Sequence, residues 1–473
     1  MVHVTQLLLV AAAVGSVTAG GSSKPGPTKK KTCKVPYAGK NKDSSPGILA
    51  TFAKCSSDAI IEFEEPYTYH AWTPMSWLGL SNVDIKLNGN LDLPNDIATV
   101  QQKINSTTNQ ASVSLFLTAA RGGDRMLTLP LGPILQTYAT PWFYIHGSNV
   151  NLIGSTKKNY GQFQGHGQQW WDIGQRILRP QLATFNVSTG TIKNIKVIKP
   201  VAWGFNIPGT NVKVSNHFVD AAPNNGTRDQ TTSFPFNTDG FNMSGQNITL
   251  DGYYGHNGDD CVSVVNGARN IVAKNGYCGF SSHGLSIGSL GRAGAVHTVA
   301  NVLFENWTME GAVYAARFKS WTGGQGWAKN VTWRNIKALN VSTAIFITQN
   351  YFDQDKGPRP NNTSGTSTAV DNLNFENFEG SLGPNWTDGT CISTPCWNYV
   401  QGGDSTQSII MDLYPGTATN LHFKNIKVHP YKKPYSATTV ICDPATLAPG
   451  EQDTLGFQCQ RGPYVPTKIK GSH

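Results

Sequence analysis

Charged residues make up only 14% of this chain, and no acidic or lysine-rich block interrupts its middle, which excludes a disordered, highly solvated polymer. No apolar run is long enough to cross a membrane. No Cys-x-x-Cys spacing occurs and histidine is not clustered beside cysteine, so there is no zinc-binding pattern. No basic stripe with interleaved aromatics of the nucleic-acid kind is visible. The formal net charge is still +9. That balance suits an anionic partner such as an acidic polymer, although part of the excess sits in residues 29–34, near the start of the mature chain.

The extreme N-terminus also lacks lysine and arginine and has only His3. Its leucine, valine and alanine run, closing with Val17-Thr18-Ala19 before Gly20, nevertheless reads as a secretory signal over residues 1–19. Eight cysteines, an even number, suit an oxidising compartment. Proximity pairs Cys33 with Cys55, Cys261 with Cys278, Cys391 with Cys396 and Cys442 with Cys459, one of about 105 connectivities. Sequons at Asn105, Asn186, Asn225, Asn242, Asn247, Asn306, Asn330, Asn340, Asn361, Asn362 and Asn385 agree with a secreted, extracellular glycoprotein.

What the chain has in quantity is glycine, at 49 of 473 residues, and short runs of β-branched and aromatic residues interleaved with asparagine. That pattern predicts an all-β fold. Residues 20–32 form a Gly, Ser, Pro and Lys linker. A short helix follows, with apolar spacing at Ile48, Leu49, Phe52 and Ala53 and capping candidates Ser44 and Ser45. Later β segments each open with asparagine, at Asn149, Asn194, Asn211, Asn247, Asn270, Asn301, Asn330, Asn372 and Asn420. The repeat, at roughly 17 to 48 residues, matches the coils of a solenoid whose loops vary while its strands stay short. Asparagine suits the turn before a strand, since it tolerates the left-handed conformation and can bond its own backbone. A solenoid end must be covered, and the helix is placed to cap it. Residues 33–463 show no domain boundary, and 464–473 read as a tail.

Candidate chemistry is concentrated in residues 237–319. Asn237-Thr238-Asp239-Gly240 comes first, then Gly258-Asp259-Asp260-Cys261, Ser282-His283-Gly284 and Arg317-Phe318-Lys319. Successive intervals from Asp239 to Asp260, His283 and Arg317 are about 21, 23 and 34 residues, periods of a coil returning to one face. Stacked at roughly 4.8 Å per coil, these side chains form one site. Three clustered carboxylates cannot all ionise comfortably, so at least one pKa rises, which suits Asp259 to general acid work. Gly258 is expected to allow the bend that two adjacent aspartates need, and a Cys261–Cys278 bridge to brace it. Arg317 and Lys319, two apart on a strand, share a face and suit an anionic sugar.

The four blocks, in this order and spacing, resemble the polygalacturonases, glycoside hydrolase family 28, and the resemblance runs through most of the mature chain. It implies a right-handed single-stranded parallel β-helix. It also implies that Asp259 protonates the leaving oxygen, Asp239 and Asp260 hold the attacking water, and His283 supports the acid. Asn237, Arg317, Lys319 and Tyr351 would meet the substrate, galacturonan or its oligomers. No metal, nucleotide or organic cofactor is implied, nor a nucleic-acid or membrane partner, and the chain is expected to act as a monomer. A short separation between Asp239 and Asp259 would by itself predict retention of configuration, whereas the family inverts, and the family is followed. Gly165-His166-Gly167 through Asp172 also resembles a family segment and is read as packing and turn, while Asn206 and His217 are left unassigned. Ser282, Asn257 and the run 286–291 look closer to exo-acting fungal members. Exo-polygalacturonase is therefore the leading reading. Endo-polygalacturonase and xylogalacturonan hydrolase are the alternatives within the class, and a catalytically silent carbohydrate-binding β-solenoid is the alternative outside it.

Overall fold

The short β segments fold into parallel strands stacked coil upon coil, in a computed structural model. It describes residues 30–106, 140–224, 233–352, 359–384, 388–391, 396, 399–403, 406–431 and 438–467. One face consists of Phe205–Ile207, Phe241–Met243, Val262–Val264, Leu285–Leu290, Tyr314–Trp321, Thr343–Tyr351 and Gln407–Asp412, each paired in parallel with the next. Longer strands complete the coils, among them Gln246–His256, Arg269–Gly279, Val296–Glu310, Gln325–Val341, Ala369–Leu382 and Ala418–His429, also paired in parallel. The chain is thus a parallel β-helix, all-β as expected. The expected signal (1–19), most of the linker (20–32), the end of the tail, and the sequons Asn225 and Asn385 lie outside the described residues.

Asparagine writes the corners. Asn247, Asn270, Asn301, Asn330 and Asn372 all have φ between +55 and +58, the left-handed region this side chain tolerates best. Their side chains do not bond their own backbone. Each Nδ2 donates instead to Oδ1 of the asparagine one coil earlier, at 2.9–3.0 Å, from Asn372 back through Asn330, Asn301, Asn270 and Asn247 to Asn211. A second ladder runs along the next corner, from Asn425 through Asn377, Asn335, Asn306 and Asn275 to Asp251. Asn194 belongs to that second corner, bonding Asn216, and not to the column in which its sequence context placed it. In-register stacking does the same inside the core, where Phe304, Trp333, Phe375 and Phe423 place successive ring centroids 5.6, 4.8 and 4.8 Å apart. Such pairs contribute about 0.5–1.5 kcal/mol each beyond the area they bury.

Both ends are covered. Helix Ser45–Lys54 buries Ile48 and Phe52, and Phe52 stacks on Trp77 at 3.9 Å. Leu49 and Ala53 face outward, and Thr51 turns inward in their place, its hydroxyl bonding the Gly47 carbonyl. Neither serine caps the helix through its side chain; Asp43 Oδ1 accepts from Ser45 N at 2.9 Å. Lys31–Lys34 already pairs with Ser57–Phe63, so ordered structure begins inside the expected linker. At the far end Glu451 accepts from Asn420 N and Leu421 N, closing the last coil. Tyr464 N donates to Thr438 O and Thr467 N to Gly456 O, so the first residues of the expected tail belong to this cap.

All four disulfides join the cysteines that proximity paired. His217 is a core residue among Phe205, Phe241 and Tyr253, and burial pushes its imidazole down to about 3. The segment after Gly165 is a short helix, Gln168–Asp172, that buries Trp170 and Trp171. His166 bonds Asp92, which also holds His70.

Candidate active site

The turn entering each strand of the first face carries the chemistry. Pairing of Phe241 with Val262 and of Val262 with Leu285 puts Asp239, Asp260 and His283 at equivalent positions, each two residues before a paired residue. The first two sequence intervals are therefore one coil each. The third is not: Leu285 pairs with Ala316, so Tyr314 stands in the His283 row, and Arg317 pairs with Ser286. Arg317 joins the site because its long side chain reaches back along the coil axis.

Asp260 is 1% exposed and accepts from Ser286 Oγ, Arg317 Nη2 and, at 3.2 Å, Lys319 Nζ. Arg317 has no exposed surface. Its expected grip on a substrate carboxylate is not available in this arrangement, because the buried Asp260 carboxylate takes the guanidinium. Burial would lower the guanidinium pKa, but Asp260 and Asp259 outweigh it and raise it. Lys319 keeps a small exposed fraction and lies 5.7 Å from the Tyr351 ring, which meets Trp321 edge-on.

Asp259 is held on both oxygens. Oδ1 accepts from Asp260 N at 2.8 Å and meets His283 Nδ1 at 3.0 Å, and Oδ2 accepts from Asn237 Nδ2 at 3.1 Å. Burial pushes this carboxyl up, but His283, then Lys319 and Arg317, hold it well below the usual carboxylate range. Asp239 is different. Its Oδ1 is buried and accepts no hydrogen bond among the described residues. Burial first, then the charges of Asp259 and Asp260, push it well above the usual range. The raised pKa expected at Asp259 therefore falls on Asp239, where Lys319 and a backbone hydrogen bond pull the other way but are outweighed.

The bend through Gly258 is built from several contacts. Gly258 has no left-handed φ; a β-carbon there would lie 2.6 Å from the Pro235 carbonyl oxygen, so close approach is what demands glycine. Asn257 Nδ2 donates to the carbonyls of Asp259 and Asp260, and Thr238 Oγ1 accepts from Gly258 N. Cys261–Cys278 closes the turn as expected. Asn237, expected at the substrate, spends its amide on the protein: Oδ1 accepts from Arg179 Nη2 at 2.7 Å while Nδ2 faces Asp259. Asp259, Asp260 and His283 offer ligand atoms within 4.8 Å of one another, but Asp260 is already matched by two cations and His283 by two carboxylates.

Residues 135–408 match the family model described as glycosyl hydrolases family 28. The chain is 34% identical over 458 residues to a probable exopolygalacturonase C of Aspergillus flavus, covering 94% of this chain and 95% of the relative. It is 36% identical over 444 residues to a protein of the same description from Aspergillus terreus, covering 92% and 93%. This chain is a member of glycosyl hydrolases family 28. As a family 28 enzyme it shares its fold with the endo-xylogalacturonan hydrolase of Aspergillus tubingensis (TM-score 0.67, 19% identity, 91% of this chain and 99% of that one). The exopolygalacturonase of Thermotoga maritima superposes with a TM-score of 0.53 at 13% identity, over 93% and 94% of the two chains.

Several residues of this family 28 site carry no signal in sequence. Asp388 bonds His283 Nε2 at 3.0 Å across 105 positions of chain. Arg179 arrives from the segment after helix Gln168–Asp172, and its Nη1 also donates to the Phe236 carbonyl at 2.7 Å. Ser286, within the run 286–291, bridges Asp260 and Arg317 through its hydroxyl. Asn242 pairs in register with Asn206 and Ser263, and its Oδ1 is buried. Asn247, Asn306 and Asn330 commit their amides to the corner ladders.

Proposed function

We propose that this family 28 enzyme is secreted and hydrolyses α-1,4 bonds between galacturonate units of pectin galacturonan, releasing monomer from the non-reducing end with inversion. The observation that carries the reading is the convergence of Asp239, Asp259 and Asp260 with His283, Arg317 and Lys319 in one cleft. The relatives' description as exopolygalacturonases supports the substrate and the mode. Four disulfides suit the oxidising exterior.

In the proposed reaction Asp259 delivers a proton from Oδ2, since Oδ1 is filled by Asp260 N and His283. The glycosidic C–O bond breaks as the leaving oxygen takes that proton. Water held by Asp239 and Asp260 attacks the anomeric carbon from the opposite face and gives up its proton to this pair. The carboxyl pushed upward by its surroundings is Asp239 and the one held down is Asp259, so the reaction requires substrate to raise Asp259. An anionic sugar beside Lys319 offsets part of the positive field, and a sugar ring displaces water; both push the Asp259 carboxyl upward.

Time-resolved product analysis on polygalacturonate tests the proposal, with the anomer of the first product read by proton NMR. Monomer alone from the first minutes, in the β form, is expected. Mixed oligomers sink the exo mode, an α product sinks inversion, and binding without cleavage returns the silent carbohydrate-binding module.

A further inference from the structure

His283 lies between two carboxylates. Its Nδ1 is 3.0 Å from Asp259 Oδ1 and its Nε2 is 3.0 Å from Asp388 Oδ1, and the imidazole and Asp388 side chains are each 2% exposed. A ring nitrogen facing an ionised carboxylate donates a proton to it, so a carboxylate on each side favours a proton on both nitrogens. Asp388 is itself fixed: the same oxygen accepts from Thr390 N at 3.0 Å and Thr390 Oγ1 at 2.7 Å, and its carbonyl accepts from Cys391 N, beside the Cys391–Cys396 bridge. A β-carbon on Gly389 would lie 2.3 Å from the Phe234 ring, so this segment lies flat against the turn that leads to Asn237.

We propose that Asp388 is a positioning residue for the reaction read above, locking His283 as a doubly protonated imidazolium that points Nδ1 at Asp259. The groups facing the ring are Asp259 from the turn before Val262–Val264, Asp388 from the segment after Ala369–Leu382, Arg317 from Tyr314–Trp321, and the Tyr314 ring at 5.6 Å. Burial and Arg317 oppose the charged ring, but Asp388 and Asp259 outweigh them and carry it up to about 9. A fixed cation at Oδ1 makes Asp259 the stronger acid once protonated and leaves Oδ2 as the oxygen that delivers the proton.

Two measurements test the role. The first is side-chain ¹⁵N NMR of the full chain, with His283 assigned against His283→Asn. At pH 7.5 wild-type His283 is expected to have both nitrogens protonated, whereas in Asp388→Asn it titrates near the ordinary imidazole value of about 6.5. The second is the pH profile of kcat/KM. Asp388→Asn is expected to keep most of its activity near pH 5 and to lose about tenfold by pH 7.5, one unit above that value. A neutral His283 in the wild type at pH 7.5 overturns the proposal whether or not the variant folds. So does an alkaline limb that Asp388→Asn leaves in place, or a loss equal at every pH. Failure of the wild type to cleave galacturonan would remove the proposed function and leave the NMR titration to decide this role by itself.

Discussion

Each oxygen of Asp259 meets a side chain that is gripped from behind: His283 by Asp388, and Asn237 by Arg179. Asp259→Asn keeps the shape and removes the proton, and it is expected to lower kcat by about 10²–10⁴-fold, the usual contribution of a positioned acid. Full rate in that variant, with melting unchanged, would take Asp259 out of the acid role. Arg179 determines which way the Asn237 amide points, because its guanidinium requires the oxygen on its own side. Arg179→Met frees the amide to turn and is expected to lower kcat by about 10²-fold with KM little changed, as a misplacement near the reacting atoms does. Arg179→Lys should recover part of the loss. Steady-state kinetics of both variants decide it, and an unchanged kcat in Arg179→Met would mean the amide is held by something else. Neither gripping residue was legible in the sequence, since nothing local to Arg179 or Asp388 distinguishes it from any surface-loop residue. The three aspartates and His283 were legible because their turns fall one coil apart.

At the scale of the element, the asparagine ladders are the fold's most readable feature. A residue that must repeat at every left-handed corner leaves a period in the sequence, and all nine asparagines that open a β segment there have positive φ. What could not be read was the partner, because a side chain bonded to the next coil looks in sequence the same as one bonded to its own backbone. Asn301 sits inside its ladder, donating to Asn270 and accepting from Asn330. Asn301→Ala loses both bonds and places an ordinary residue at φ +57. It is expected to cost roughly 2–3 kcal/mol, about 1–2 for the left-handed backbone and about 1 for the bonding. Asn301→Gly, which tolerates the backbone, should cost about 1 kcal/mol less. Urea unfolding midpoints read the difference, and equal losses for the two variants would show that the backbone contributes nothing. Arg317 shows the opposite limit of sequence periodicity: its interval is not a coil, and only the reach of its side chain brings it to Asp260.

For the whole molecule, two buried histidines act in opposite directions. His217 stays neutral, its pKa near 3 through burial, so its contribution is present above the ordinary value and is lost as pH falls from about 6.5 toward 3. His283 is held charged, with a pKa near 9, so its contribution is present below about 6.5 and is lost as pH rises toward 9. The two histidine contributions together are therefore greatest near the ordinary imidazole value and fall on both sides, while Asp239, raised by burial, adds a loss as pH climbs above the usual carboxylate range. The alkaline loss is on the order of 3 kcal/mol for an imidazole carried from its ordinary value up to about 9. Thermal melting from pH 4 to 9 checks the window. His217→Phe should flatten the acid arm alone, and an unchanged acid arm would assign it to the carboxylates.

The placement of Asp388 also bears on synthesis. A polypeptide leaving the ribosome can wind the coils bearing Asp239, Asp259, Asp260 and His283 long before the aspartate 105 residues further on has been made. Domains generally begin folding from the N-terminal end as they emerge. A nascent chain arrested before that point would hold His283 against Asp259 alone, so the clamp on the far side of the ring is the part of this cluster that is made last.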